Sequence, residues 1–193
     1  SVDDHGTIYV WDCLSGQCLH TLSKEVYPDS EQTLLFQVSD HLIASARCGH
    51  VSKSNHGKIH IWDIHSGQHM HALDHFGAVS KFVKLNKPNS FLVASNKSLS
   101  VWEVTESQAS QKFRVILQKK IKKKSITEVS DQTIAFFDEK GVKIWDVAKF
   151  QCIQNIDTAF RGRTIWSFAK KKIALVNDTD VTIFDTSSGK QLL

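Results

Sequence analysis

The sequence predicts an all-β fold, a propeller built of four-stranded antiparallel blades, on three observations. One segment recurs: GTIYVWDCLSGQCLHTL at 6–22 returns as GKIHIWDIHSGQHMHAL at 57–73, and weaker copies follow at 97–113, 140–156 and 179–193. Its anchoring aromatics, Trp11, Trp62, Trp102, Trp145 and Phe184, fall 51, 40, 43 and 39 residues apart. Apolar and polar residues alternate over short runs, as in Ile59 and Ile61 around His60, and no 3.6-residue apolar pattern persists. Four short strands in a period near 40 residues make a propeller blade, because solenoids of that period are helical.

Each period reads as strands a, b, c and d. Strands a and b come from motifs such as FQVSDHLIASAR (36–47), VKLNKPNSFLVASN (83–96), TEVSDQTIAFFD (127–138) and SFAKKKIALVND (167–178), each a short strand, a polar turn and a richly apolar strand. The anchor segment supplies strand c, a turn and strand d. The SGQ of 15–17 and 66–68 marks that turn, with Gly providing positive φ; no helix follows it, so it is not a phosphate loop. The resulting boundaries are a half blade at 1–22 and blades at about 33–73, 78–117, 126–156 and 164–193.

The phased pairs Trp11-Asp12, Trp62-Asp63, Trp102-Glu103, Trp145-Asp146 and Phe184-Asp185 resemble the WD40-repeat family, and the resemblance covers essentially the whole chain. It implies that a Gly-His dipeptide before strand a and an Asp in the b to c turn should form a buried network in each blade. Only fragments of that network are present: His75 in LDHFGAV (73–79), Ser95 and Asn96 in the same blade, and Asp178 in the last. The family also implies a closed ring. Four and a half blades lead us to expect a portion of a larger, seven-bladed propeller, with a five-bladed ring as the alternative. The recurrence of Trp and Asp in every blade makes them structural anchors that fill space between sheets.

Composition fits a globular domain: 41% hydrophobic, 23% charged and two prolines among 193 residues. The apolar runs are too short for a membrane span, and SVDDHG is not a signal segment. Four cysteines without CxxC spacing fit reduced thiols, so an intracellular site, cytoplasmic or nuclear, is expected. The net charge of +4 is uneven. Residues 1–75 carry four Lys/Arg against nine Asp/Glu, about −5, which leaves about +9 for residues 76–193.

Function is expected in the loops. The first full period is longer by some ten residues within RCGHVSKSNHG (47–57), a b to c loop that carries Arg47, His50, Lys53 and His56. In a propeller this loop shares a face with the d to a connections. Those hold the run Lys119, Lys120, Lys122, Lys123 and Lys124, and Arg161 with Arg163 in FRGRTIW. Lys97 adds a further cation at a b to c turn. No ligand spacing marks the His/Cys content as a metal site, so none is expected, and no cofactor either. Neither GxSxG, GxxxxGK[ST] nor HExxH occurs, which points away from an enzyme. The expected function is a non-catalytic scaffold whose loop face binds a protein or peptide within a larger complex. The rival is RNA or DNA binding through the basic loops at 119–124 and 161–163.

Overall fold

The computed structural model describes residues 1–23, 33–47, 56–85, 87–95, 97–116, 126–130, 132–138, 141–158, 164–169 and 171–193. Among them the only regular elements are β-strands, and no helix is long and apolar enough to cross a membrane. Sheet one pairs β1 (Ile8–Trp11) with β2 (Cys18–Leu22). Sheet two holds β3 (Thr33–Gln37), β4 (Leu42–Arg47), β5 (His56–Asp63) and β6 (His69–Phe76). Sheet three holds β7 (Val79–Lys84), β8 (Ser90–Ser95), β9 (Ser98–Val104) and β10 (Ala109–Ile116). Sheet four holds β11 (Ile126–Ser130), β12 (Thr133–Asp138), β13 (Gly141–Asp146) and β14 (Gln151–Asp157). Sheet five holds β15 (Thr164–Ala169), β16 (Lys172–Val176) and β17 (Val181–Asp185). Every pairing is antiparallel between strands consecutive in the chain, so each sheet is one blade of a β-propeller-like fold.

The partial first blade keeps a remnant of strand b, because Val2 bridges Ile8. The last blade departs from the expected full set at 164–193. Its fourth position holds an isolated bridge from Gln191 to Phe184, while Ile183 donates to the Leu193 carbonyl at 3.0 Å and accepts from Leu192 at 2.7 Å.

The inner sheets are apolar on both faces, and sheets consecutive in the chain bury these faces against each other. Ile8 and Leu22 of sheet one pack on Trp62 of sheet two. The opposite side of sheet two (Ala44, Ile59, Ile61, Leu73) meets Phe82, Phe91, Val93 and Trp102 of sheet three. Leu92, Leu99 and Val101 then meet Ile126, Ile134 and Phe136 of sheet four, and Ala135, Ile144 and Ile156 meet Ile165, Ile173, Leu175 and Phe184 of sheet five. The strand c aromatic therefore always faces the preceding sheet. Trp62, Trp102 and Phe184 are buried and Trp145 is half-buried, whereas Trp11 of sheet one is 48% exposed. At the other end Trp166 and Phe168 are 61% and 56% exposed. Aromatics of both end sheets are thus open to solvent among the described residues.

The Asp after the anchor shapes the c to d turn. Asp63 Oδ1 accepts from His65 N (2.9 Å), Ser66 N (2.8 Å) and Ser66 Oγ (3.1 Å), and Asp12 and Asp185 repeat the pattern with Ser15 and Ser188. These donors hold the carboxyls of Asp12, Asp63 and Asp185 below the usual range. Asp146 is bonded by Ala148 N and Lys149 N. Glu103, one carbon longer, instead pairs with Lys87 (2.9 Å) and Lys112 (3.4 Å), and Thr105 Oγ1 caps its turn by accepting from Gln108 N.

The same turn docks onto the sheet before it. Gly67 has φ +72°, and a Cβ there would lie 2.7 Å from His20 Nδ1, because the His20 ring reaches across from β2 to bond the His65 carbonyl through Nε2 at 2.9 Å. His71 occupies the same place on β6, and its Nε2 bonds the Thr105 carbonyl of sheet three at 2.8 Å. Gly16 has φ +70° but open space around it. Gly16→Ala should cost about 1 kcal/mol for its left-handed backbone. Gly67→Ala should cost about 1 kcal/mol more, because it also displaces His20 from its carbonyl. Urea unfolding of the two variants measures the difference, and equal losses would refute the docking role of the turn.

Candidate interaction face

Strand direction puts the a to b and c to d hairpins at one end of every sheet and the b to c and d to a connections at the other. The second end is the candidate face. In sheet two it is entered at Arg47, the last residue of β4, and left at His56, the first of β5; for both, only the backbone is described. His50 and Lys53 lie outside the described residues, as do Lys119, Lys120, Lys122, Lys123 and Lys124 and the pair Arg161 and Arg163. The described strand ends next to them are Ile116 and Ile126, and Asp157 and Thr164.

Around Lys97 the face is well defined. Its Nζ sits over the Phe76 ring at 5.4 Å from the centroid, which joins the b to c turn of sheet three to the last residue of sheet two. Beneath it, two fully buried hydroxyls converge on one carbonyl: Ser95 Oγ and Ser98 Oγ lie 2.8 and 2.9 Å from Phe76 O and 3.1 Å from each other. Ser95 Oγ also accepts from Ser98 N (2.8 Å) and Lys97 N (3.1 Å). A blade-to-blade lock thus stands where the resemblance implies a network through His75 and Asn96; Asn96 lies outside the described residues.

His75 is sealed in the interior at the end of β6. It is 1% exposed, its Nδ1 is 3.4 Å from Gly77 O, and its Nε2 has no hydrogen-bond partner among the described residues. Burial pushes the ring down to about 4, against the opposing pull of the Gly77 carbonyl and with a further lowering from Arg114. Burial thus keeps the imidazole neutral. His5 is exposed.

His20, His60, His69 and His71 are half-buried. His20 and His71 bridge neighbouring sheets, and His60 Nδ1 lies 3.0 Å from His69 Nε2, with the His69 ring edge-on to Trp62 at 4.8 Å. The signal was present in the sequence, since His20 and His71 both stand three residues after the Gln of SGQ. Among the described residues, no group of three or more His, Cys, Asp or Glu is arranged to hold a metal ion. Cys13, Cys18 and Cys152 are free and exposed.

One hydrogen bond recurs behind the anchors. Trp62 Nε1 donates to Ser45 Oγ at 2.9 Å, Trp102 Nε1 to Ser100 Oγ at 3.1 Å and Trp11 Nε1 to Ser1 Oγ at 3.0 Å. Ser45 lies on strand b opposite His60; in sheet three that place is taken by Val93, and the hydroxyl comes from its cross-strand partner Ser100 on strand c.

No family model matches the chain. It is 27% identical over 161 residues to "Zinc finger CCCH domain-containing protein 62" of Arabidopsis thaliana, an alignment covering 81% of this chain and 35% of that protein. Its fold is similar to a chain in the "Crystal Structure of Mitotic Checkpoint Complex", with a TM-score of 0.67 and 16% identity over 98% of this chain and 58% of that one. The chain thus spans about a third of the curated relative and little over half of the solved one.

Because His75 is neutral when folded and ordinary when unfolded, its contribution to stability is complete above pH 6.5 and lost as pH falls towards about 4. The loss across that window should be on the order of 3 kcal/mol. His75→Leu should leave stability at pH 7 little changed and flatten this part of the curve. Urea unfolding at pH 7.5, 5.5 and 4.5 tests it, and parallel curves for the two proteins would refute the assignment.

Proposed function

We propose that the chain is a non-catalytic interaction scaffold: a portion of a larger, seven-bladed propeller whose b to c and d to a edge binds a protein or peptide within a multi-subunit complex, in the cytoplasm or nucleus. The observation that carries this reading is the locking of that edge. Ser95 and Ser98 clasp Phe76 O across two sheets, with Lys97 stacked above, so the loops spring from a frame that is ordered before a partner arrives. Pre-ordering lowers the entropy lost on association, which otherwise consumes much of the gain from contact. Likeness to a chain of a multi-subunit assembly is consistent with this reading.

The candidate contacts are Arg47, His50, Lys53 and His56, Lys97, the lysines at 119–124, and Arg161 with Arg163. Guanidinium forks pair with carboxylates of an acidic peptide in two parallel hydrogen bonds, whereas the lysines supply charge without a fixed geometry. The charge of about +9 on residues 76–193 favours a second reading, in which the same basic loops hold RNA or DNA phosphates.

Affinity capture with the wild-type chain and a variant combining Arg161→Glu, Arg163→Glu and deletion of 48–55 should show the variant losing its protein partners. A variant that retains every partner refutes the site. Filter binding of single-stranded RNA and duplex DNA across a salt series separates the readings. A steep salt dependence abolished by neutralising the lysines at 119–124 would replace the protein-binding reading with the nucleic-acid one, and no binding at low salt excludes the latter.

A further inference from the structure

Each complete blade has an outermost strand, d, whose far side pairs with no other strand among the described residues. In sheets two, three and four these are β6, β10 and β14, each last in its sheet. A bare edge offers backbone N–H and C=O groups to any extended chain, and charged side chains on the strand are the usual guard against it. β6 carries Asp74, and β10 carries Lys112 and Arg114. β14 reads QCIQNID, with no charge before its last residue, Asp157. β2 is uncharged as well but belongs to the partial first sheet, so among the described residues β14 is the unguarded edge of a complete blade.

The hydrogen bonds of β14 show the want of a neighbour. Cys152 Sγ donates to the Gln154 carbonyl at 3.4 Å, and Gln154 Nε2 donates to the Asn155 carbonyl at 3.1 Å. Successive carbonyls of a strand point to opposite sides, so one of these two faces away from β13 and is met by a side chain of β14 itself. Ile153, at the middle of the strand, is 47% exposed, and Gln151, Cys152 and Asn155 are exposed around it.

Aligned antiparallel with a second β14 about Ile153, the strand is self-complementary. Ile153 meets Ile153, Cys152 meets Gln154 and Gln151 meets Asn155. The same register brings Asp157 of each copy level with Lys149 of the other, twice by symmetry. Lys149 stands in the turn before the strand with its side chain 69% exposed, 3.7 Å from Asp146, and Asp157 is exposed at the strand end. Shifting the register loses both charge matches.

We propose that β14 is a dimerisation edge, at which two copies of the chain join antiparallel about Ile153 into one sheet that runs across both molecules. The ladder to β13 is bulged beside Ile153, which twists the strand; in a two-fold contact both copies carry the same twist and still run alongside each other. The contact is isologous, so it closes at two copies. It lies on the outer rim, apart from the loop edge assigned to partners above. An edge of seven residues falls below the roughly 1,200 Å² of a standard interface, so the dimer is weak and reversible.

Sedimentation of the chain at concentrations up to about 1 mM should show association that stops at the dimer. Lys149→Asp and Asp157→Lys each turn two attractions into two repulsions and should weaken it about tenfold. Combined in one chain they exchange the partners and should restore it. Ile153→Lys sets like charges directly opposite each other and should abolish the dimer. All three side chains are exposed, and thermal unfolding that matches the wild type shows the variants folded. A chain that stays monomeric throughout overturns the proposal. Association that grows beyond the dimer, a dimer that survives Ile153→Lys, or charge reversals that the double variant does not rescue overturn it equally.

Discussion

A four-stranded sheet with apolar side chains on both faces cannot stand alone in water, and everything else in this molecule follows from that constraint. Each blade leaves too much hydrocarbon exposed until a neighbour covers it from either side, so stability belongs to the interfaces and not to the sheets. The strand c aromatic is the unit of that coverage. It points backwards along the chain, and its burial therefore depends on the blade made before it. Trp62, Trp102 and Phe184 are buried in this way, while Trp11 of the first described sheet is half-exposed.

Hydrogen bonds then fix how one blade sits on the next. At the hairpin end, imidazoles of β2 and β6 reach carbonyls of the following turn, a contact that needs Gly67 to have no side chain. At the loop end, Ser95 and Ser98 share the Phe76 carbonyl. Sheets two and three are thus pinned at both ends of their strands as well as along the apolar seam between. A frame of this kind resists shear, and loops mounted on it keep their spacing when one of them is engaged.

The blade pattern could be read from the chain because it rests on features that repeat. Trp-Asp phasing, two-residue alternation and the SGQ turns located strands and turns to within a few residues. The docking of blade on blade was harder to read, because it depends on which polar group meets which across a seam. His75 was visible as a candidate for a polar network, but nothing in LDHFGAV says that its ring is sealed away with one nitrogen unpaired. Ser98 and Ser100 carried no signal at all, since serine is ordinary in a strand flanked by turns. The truncated pairing after β17 was also hidden, because SSGKQLL reads as a turn and the start of a strand whether or not a ladder forms. Of the candidate contacts, the structure gives Lys97 a defined neighbour and Arg47 and His56 a place at strand ends, while the basic loops fall outside the described residues.

The hydroxyl behind Trp11, Trp62 and Trp102 has an evolutionary consequence. In sheet two it is Ser45 of strand b, in sheet three Ser100 of strand c, and in sheet one Ser1 of the remnant before β1, yet the indole meets an oxygen at about the same distance each time. Selection on such a site acts on the cross-strand couple and is blind to which member bears the oxygen. Successive repeats can therefore exchange letters between two columns of an alignment without passing through an unbonded intermediate, provided both hydroxyls coexist for a time. Position-by-position profiles lose such repeats early, whereas a profile scoring paired columns would still hold them together.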